Sequence, residues 1–216
     1  MTMTDTPTED PFVLCMKSGV DVRKLSKQVL KNEPKIIKEH PPTTRDGFMG
    51  GGNTKMGYHS LTARSYHYNV LKWWGTGPIK KAIRKGYEAY TGIKGKRLYA
   101  QCWANVMRNG EKIYPHKHIG YSKEKISLLT TEWDVPFTAC HLSAHLCVQV
   151  DGSTSTYYNG KPILNEEGVF SFFPGTVMHW TDRYMGEGER ITLACDINTK
   201  EFFDYDQNQK PTWIEI

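Results

Sequence analysis

From Arg97 onward, apolar and polar residues alternate with a period of two, and this is the dominant pattern of the chain. In the run 97–107, Leu98, Ala100, Cys102, Ala104 and Val106 take one face, and Tyr99, Gln101, Trp103, Asn105 and Met107 take the other. Further strands are predicted over 112–118, 141–150, 155–158, 169–173, 176–180 and 190–197. Asp151-Gly152 and Asn159-Gly160 supply turn signals between them. Before residue 97 the spacing is helical. Val22, Leu25 and Val29 predict an amphipathic helix over 21–33, capped by Ser18 or Asp21 and stopped at Pro34. A second helix opens at Gly77-Pro78, carries Ile79, Ala82, Ile83, Tyr87 and Tyr90 as its stripe, and closes at Gly92. Seven or eight strands preceded by helices predict a mainly β chain with flanking helices around a jelly-roll core, the double-stranded β-helix.

The expected organisation is a mobile tail over 1–11, a helical and looped elaboration over 12–96 that packs on the core, and a jelly roll over 97–216. Residues 38–66 are irregular, with Gly47, Gly50, Gly51, Gly52 and Gly57, as a lid over a pocket would be. No GK[ST] follows these glycines, so a phosphate loop is not supported.

Composition narrows the class. At 216 residues, with 38% hydrophobic and 12% aromatic content, the chain can build a full core. The net charge of +5 is spread as solvated lysines and arginines, and no nucleic-acid motif accompanies it. Cys15, Cys102, Cys140, Cys147 and Cys195 form no CxxC. They are expected to be reduced thiols packed as small apolar residues in a cytoplasm. The polar start MTMTDTPTEDPF has no apolar stretch to target or anchor it, and no membrane span is expected.

The candidate chemistry lies among the later strands. His116 and His118, in YPHKHIG, are an i, i+2 pair that a strand projects to one side, as two facial ligands of a metal require. His179 lies on a strand that a jelly roll can bring alongside. Imidazole ligands suit Fe(II), Zn, Cu or Ni. Without a metal, the HxH pair would be an exposed loop feature and His179 a hydrogen-bonded core residue. Arg190 opens the next strand and shares a face with Thr192 and Ala194. An arginine pointing into a barrel needs an anionic partner. That partner is either a nearby acid, Asp182 or Asp196, or a small carboxylate held by Arg190 and Thr192. A metal with open positions beside a carboxylate clamp suits a cosubstrate that chelates at one end and is held at the other. 2-Oxoglutarate has that shape.

From about Trp103 to Ile197 the chain resembles the 2-oxoglutarate/Fe(II)-dependent oxygenases. The resemblance is carried by His116-Lys117-His118, Leu142-Ser143-Ala144, Gly168…Phe173-Pro174…His179 and Arg190-Ile191-Thr192. The run HLSAHLCVQVDGSTSTYYNG is similar to versions carried by cyanobacterial viruses, which would place the protein in a host cytoplasm. The resemblance implies Fe(II) as cofactor, 2-oxoglutarate and O2 as cosubstrates, succinate and CO2 as products, and hydroxylation of a prime substrate. A small molecule or a protein side chain is expected as that substrate rather than nucleic acid. His116, His118 and His179 would hold the metal, while Arg190, Thr192 and Asn105 would bind the cosubstrate.

Two departures from the family pattern stand out. His118 occupies the place of the usual Asp or Glu, which lowers the negative charge on the iron. The segment 119–140 is also longer, so His141 and His145 compete as ligands; some aspartyl/asparaginyl-hydroxylase-like members place a ligand in a comparable run. A cupin-like enzyme or metal-binding module without 2-oxoglutarate is the rival reading, and it needs no arginine clamp.

Overall fold

The computed structural model describes residues 13–40, 60–65, 67–118, 142–150, 154–200 and 212–216. Their strands form two antiparallel sheets. The larger holds β1 (Leu14–Lys17), β2 (Leu98–Met107), β3 (Leu142–Gln149), β6 (Val169–Phe173), β8 (Arg190–Thr199) and β9 (Ile214–Glu215), in the order β1-β6-β3-β8-β2-β9. The smaller holds β4 (Ser155–Tyr158), β5 (Lys161–Leu164) and β7 (His179–Thr181), in the order β5-β4-β7. This is the jelly roll that the alternation predicted.

The alternation decides which face goes where. The even-numbered apolar face of β2 and β3, Phe170 and Phe172 of β6, and Ile191, Leu193, Cys195 and Ile197 of β8 pack into one core. Helices α1 (Val22–Glu39) and α2 (Gly77–Thr91) close that core with Leu25, Val29, Ile79 and Ile83, all buried. Each such aliphatic side chain contributes roughly 1.5–3 kcal/mol on burial. Gly86 is where α2 meets the sheet: a Cβ there would lie 1.9 Å from the buried Phe172 ring. The opposite face of the large sheet looks at the small sheet: Arg190 of β8 reaches Thr156 of β4, and His145 of β3 lies against His179 of β7.

Several local expectations are corrected. The first helix runs through Pro34 to Glu39 instead of stopping. A mid-helix proline costs about 3 kcal/mol. Here the apolar stripe continues to buried Ile36, and Arg64 donates to the carbonyl of His40 just beyond the helix. Strands β1, β5 and β9 were not expected. The segment 112–118 is not a strand: it makes one bridge, His116 with His179. Pro115 lacks the N–H a ladder would need there.

The largest correction concerns β7 and β8. The turn-rich loop after the 176–180 run made an antiparallel return into 190–197 the expectation, but β7 pairs with β4 while β8 lies between β3 and β2. The loop 182–189 crosses from one sheet to the other, so His179 stands on the small sheet and Arg190 on the large one.

Cys102 and Cys195, expected as reduced thiols, form a disulfide. They stand opposite each other on β2 and β8 with Cα atoms 4.2 Å apart. The Cys102 N–H points away from β8 and donates to Asn69 Oδ1. The pair is therefore the non-hydrogen-bonded kind, in which side chains approach closest. Asn69 and Tyr68 complete the outer edge of β2: the Asn69 amide donates to Ala100 O, and the Tyr68 hydroxyl accepts from Ala104 N–H. Among the described residues no helix is long and apolar enough to cross a membrane.

Candidate functional site

His116, His118 and His179 converge. One ring nitrogen from each lies within 4.8 Å of the others. The backbones of His116 and His179 clasp each other, His116 N–H to His179 O at 3.1 Å and the reverse bond at 3.0 Å. His118 N–H donates to Gly175 O at 2.9 Å, which fixes the loop on the turn after β6. The ring centroids of His116 and His179 are 4.1 Å apart, and those of His118 and His179 are 4.9 Å apart.

The tautomers follow from the partners. His116 Nδ1 lies 2.8 Å from Tyr114 O, and His179 Nδ1 lies 3.0 Å from Val177 O. A carbonyl only accepts, so each Nδ1 carries the proton. His118 Nδ1 meets the carboxylate of Asp196, with Ser143 Oγ 3.0 Å away. All three rings are thus held with Nδ1–H on a carbonyl or carboxylate, which leaves the lone pair on Nε2, as in metal-bound histidines. His179 Nε2 is buried with no partner among the described residues. Burial drives His179 well below the ordinary imidazole value, and burial together with His118 lowers His116 to about 4. Neutral imidazoles are the form that binds a metal.

His145 is close but separate. Its ring is 4.9 Å from that of His179, and its Nδ1 is 3.3 Å from the Tyr158 hydroxyl. It stands outside the converging group, and burial also keeps it neutral. His141 and the glycine-rich stretch 47–57 lie outside the described residues.

Arg190 points from β8 toward the small sheet and is 2% exposed. Its Nη1 donates to Met107 Sδ at 3.2 Å and its Nη2 to Thr156 Oγ1 at 3.1 Å, while Nε has no partner among the described residues. Neither acid proposed for it from the sequence serves. Asp182 accepts from the Tyr157 hydroxyl at 2.7 Å, and Asp196 holds His118. Asp196 is six residues along β8 from Arg190, about 20 Å of strand. Burial lowers the pKa of Arg190, as expected of a cation without a counter-ion among the described residues.

Thr192 stands directly opposite Asn105 on β2. Asn105 Nδ2 donates to Thr192 Oγ1 at 3.4 Å and its Oδ1 accepts from Thr62 at 2.6 Å, so Asn105 braces Thr192. Sequence reasoning missed Thr156, which holds the guanidinium, and the pair Ser143 and Asp196 behind His118. The alternation of β8 did place Asp196 on the face of Arg190, Thr192 and Ala194. The β3–β8 register, which brings Ser143 opposite Asp196, is a contact between distant segments that local pattern does not encode.

The same arrangement of sheets occurs in solved structures. The viral collagen prolyl hydroxylase vCPH from Paramecium Bursaria Chlorella virus-1, solved with 2OG, superposes with a TM-score of 0.53 at 11% identity, covering 86% of this chain and 95% of that one. The chain has the fold of the 2-oxoglutarate/Fe(II) oxygenases. CytC3, solved with Fe(II) and alpha-ketoglutarate, gives a TM-score of 0.53 at 11% identity over 88% of this chain and 73% of that one. No protein-family model and no curated protein matches the sequence. Within this fold His179 stands on the small sheet and Arg190 on the large one, both buried.

Proposed function

We propose that the protein is a 2-oxoglutarate/Fe(II)-dependent oxygenase that hydroxylates a small molecule or a protein side chain. The observation that carries this reading is a pair of orphaned buried groups on the two facing sheets. His179 Nε2 offers a lone pair and Arg190 Nε a proton, and neither has a partner among the described residues. A metal satisfies the first and a carboxylate the second. A cupin-like module without 2-oxoglutarate gives no reason to bury an arginine that faces no acid among the described residues.

The donor set fits a divalent iron. His116, His118 and His179 would hold it through Nε2 from one side, which leaves positions open on the other. When bound, Fe(II) would supply the redox chemistry that couples oxidative decarboxylation of 2-oxoglutarate to oxidation of the substrate. The rest is the work of the chain. Arg190 would take the distal carboxylate of the cosubstrate in its fork, with Thr156 already fixing one arm of the guanidinium. Thr192, braced by Asn105, would offer a hydroxyl on the same wall. Phe173, Val177 and Tyr158 pack together beside the histidines and keep water from that side of the site.

The test is product formation. Protein loaded with Fe(II) should convert 2-oxoglutarate to succinate only when O2 is present, with a slow uncoupled turnover even without prime substrate. His179→Ala should not. Equal succinate formation by parent and variant would refute the proposal.

A further inference from the structure

We infer that Asp196 supplies the negative charge that this metal site lacks among its direct ligands, acting through His118. The inference rests on the oxygenase reading above and goes beyond it. Three neutral imidazoles bring no charge to a divalent ion. Arg190, buried on the facing sheet, adds another positive charge. A divalent ion and the guanidinium together carry three positive charges, and a bound dicarboxylate returns two. In buried surroundings of low dielectric the third is costly to leave unbalanced.

The structure places one carboxylate where it can balance that charge. Asp196 meets His118 Nδ1, and its side chain is 14% exposed. Ser143, opposite it in register on β3, stands 3.0 Å from His118 Nδ1 and donates to Asp196 Oδ1 at 3.3 Å. The carboxylate is therefore fixed by a hydroxyl on one side and by the imidazole N–H on the other. It holds His118 in the Nδ1–H tautomer and raises the basicity of Nε2, the atom aimed at the cluster. Asp196 is a positioning residue that works through His118. It brings anionic character to the metal one hydrogen bond removed, and so offsets the histidine found where a ligand acid would otherwise stand.

The variant that isolates charge from geometry is Asp196→Asn, because the amide oxygen still accepts from His118 Nδ1–H. Co(II) is the probe for affinity, measured by competition with a chromophoric chelator. The parent should bind one Co(II), and Asp196→Asn should bind it about 10- to 100-fold more weakly. In iron-loaded protein the Fe(III)/Fe(II) potential of the variant should rise, since a nearby negative charge favours the ferric state. A purely structural role for Asp196 would leave that potential where it is. Parent-like affinity and potential in Asp196→Asn would overturn the inference and leave the oxygenase proposal standing. A parent that binds no Co(II) would overturn both. Should Asp196→Asn fail to fold, proton NMR of the Zn(II)-loaded parent decides. A strongly downfield Nδ1 proton assigned to His118 supports the relay, and its absence overturns it.

Discussion

Replacing Arg190 by methionine should have effects of opposite sign on stability and on cosubstrate binding. Methionine is long and unbranched, so it occupies much of the same channel and removes the charge. In the ligand-free protein that charge is a burden: it is buried, one arm rests on a thioether, and Nε is unpartnered among the described residues. Exchanging buried ionic groups for apolar ones of similar volume commonly stabilises by about 1–4 kcal/mol. Each kcal/mol corresponds to about 2–4 °C in a domain of this size. The ligand-free variant should therefore melt no lower than the parent, and by several degrees higher if the full gain is realised. Binding should move the other way. Two charge-assisted bonds to a carboxylate contribute about 1.5–3 kcal/mol each. Even the lower figure for both together weakens 2-oxoglutarate by about two orders of magnitude. The assay is a thermal melt of both proteins alone, with Co(II), and with Co(II) plus 2-oxoglutarate, followed by calorimetric titration of the cosubstrate. At a hundredfold excess over its dissociation constant the ligand should add about 2.7 kcal/mol to the parent and little to the variant. A variant several kcal/mol less stable without ligand would make Arg190 a structural residue. Unchanged affinity for 2-oxoglutarate would remove the clamp.

His179→Ala should abolish stoichiometric Co(II) binding, whereas His145→Ala should keep it, since His145 stands outside the converging group; metal analysis of the two purified variants separates the ligand sets. Burial lowers His116 from 6.5 to about 4 and holds His145 and His179 well below the ordinary value, so as pH falls the unfolded chain takes up protons before the folded one. The metal-free protein should hold its full stability above that window and lose it as pH falls through the window, a trend that thermal melts across the range would read; rising stability in acid would contradict it. Cys102 and Cys195 should resist alkylation in denatured, unreduced protein and label only after reduction, which mass spectrometry of the peptides shows directly.

Much of this architecture was legible in the chain because the signals are local. The alternation of β2 and β8 correctly separated the core face from the opposite face. Gly77-Pro78 and Gly92 marked α2, where Gly92 takes the left-handed conformation at φ 71°. The three histidines and Arg190 could be named because their residue types and strand parity restrict what they can do. What escaped has a common cause. β1 and β5 are four residues each and β9 only two, too short for periodicity to stand out from chance. The disulfide, the Ser143–Asp196–His118 contact and the crossing of loop 182–189 between sheets all depend on which strands pair. Those pairings join segments tens of residues apart. Pro34 misled for a different reason: proline disfavours a helix interior, and here tertiary burial of Ile36 outweighs that preference.

The most direct test of the account is an anaerobic titration of the purified protein with Fe(II) and 2-oxoglutarate, followed by visible absorption. The chelate of a 2-oxo acid on a histidine-held ferrous ion has a weak charge-transfer band that neither component gives alone. The account predicts that this band appears only with both, saturates at one iron per chain, disappears in His179→Ala and requires far more 2-oxoglutarate in Arg190→Met. No band from correctly folded, iron-loaded parent at saturating 2-oxoglutarate would contradict it.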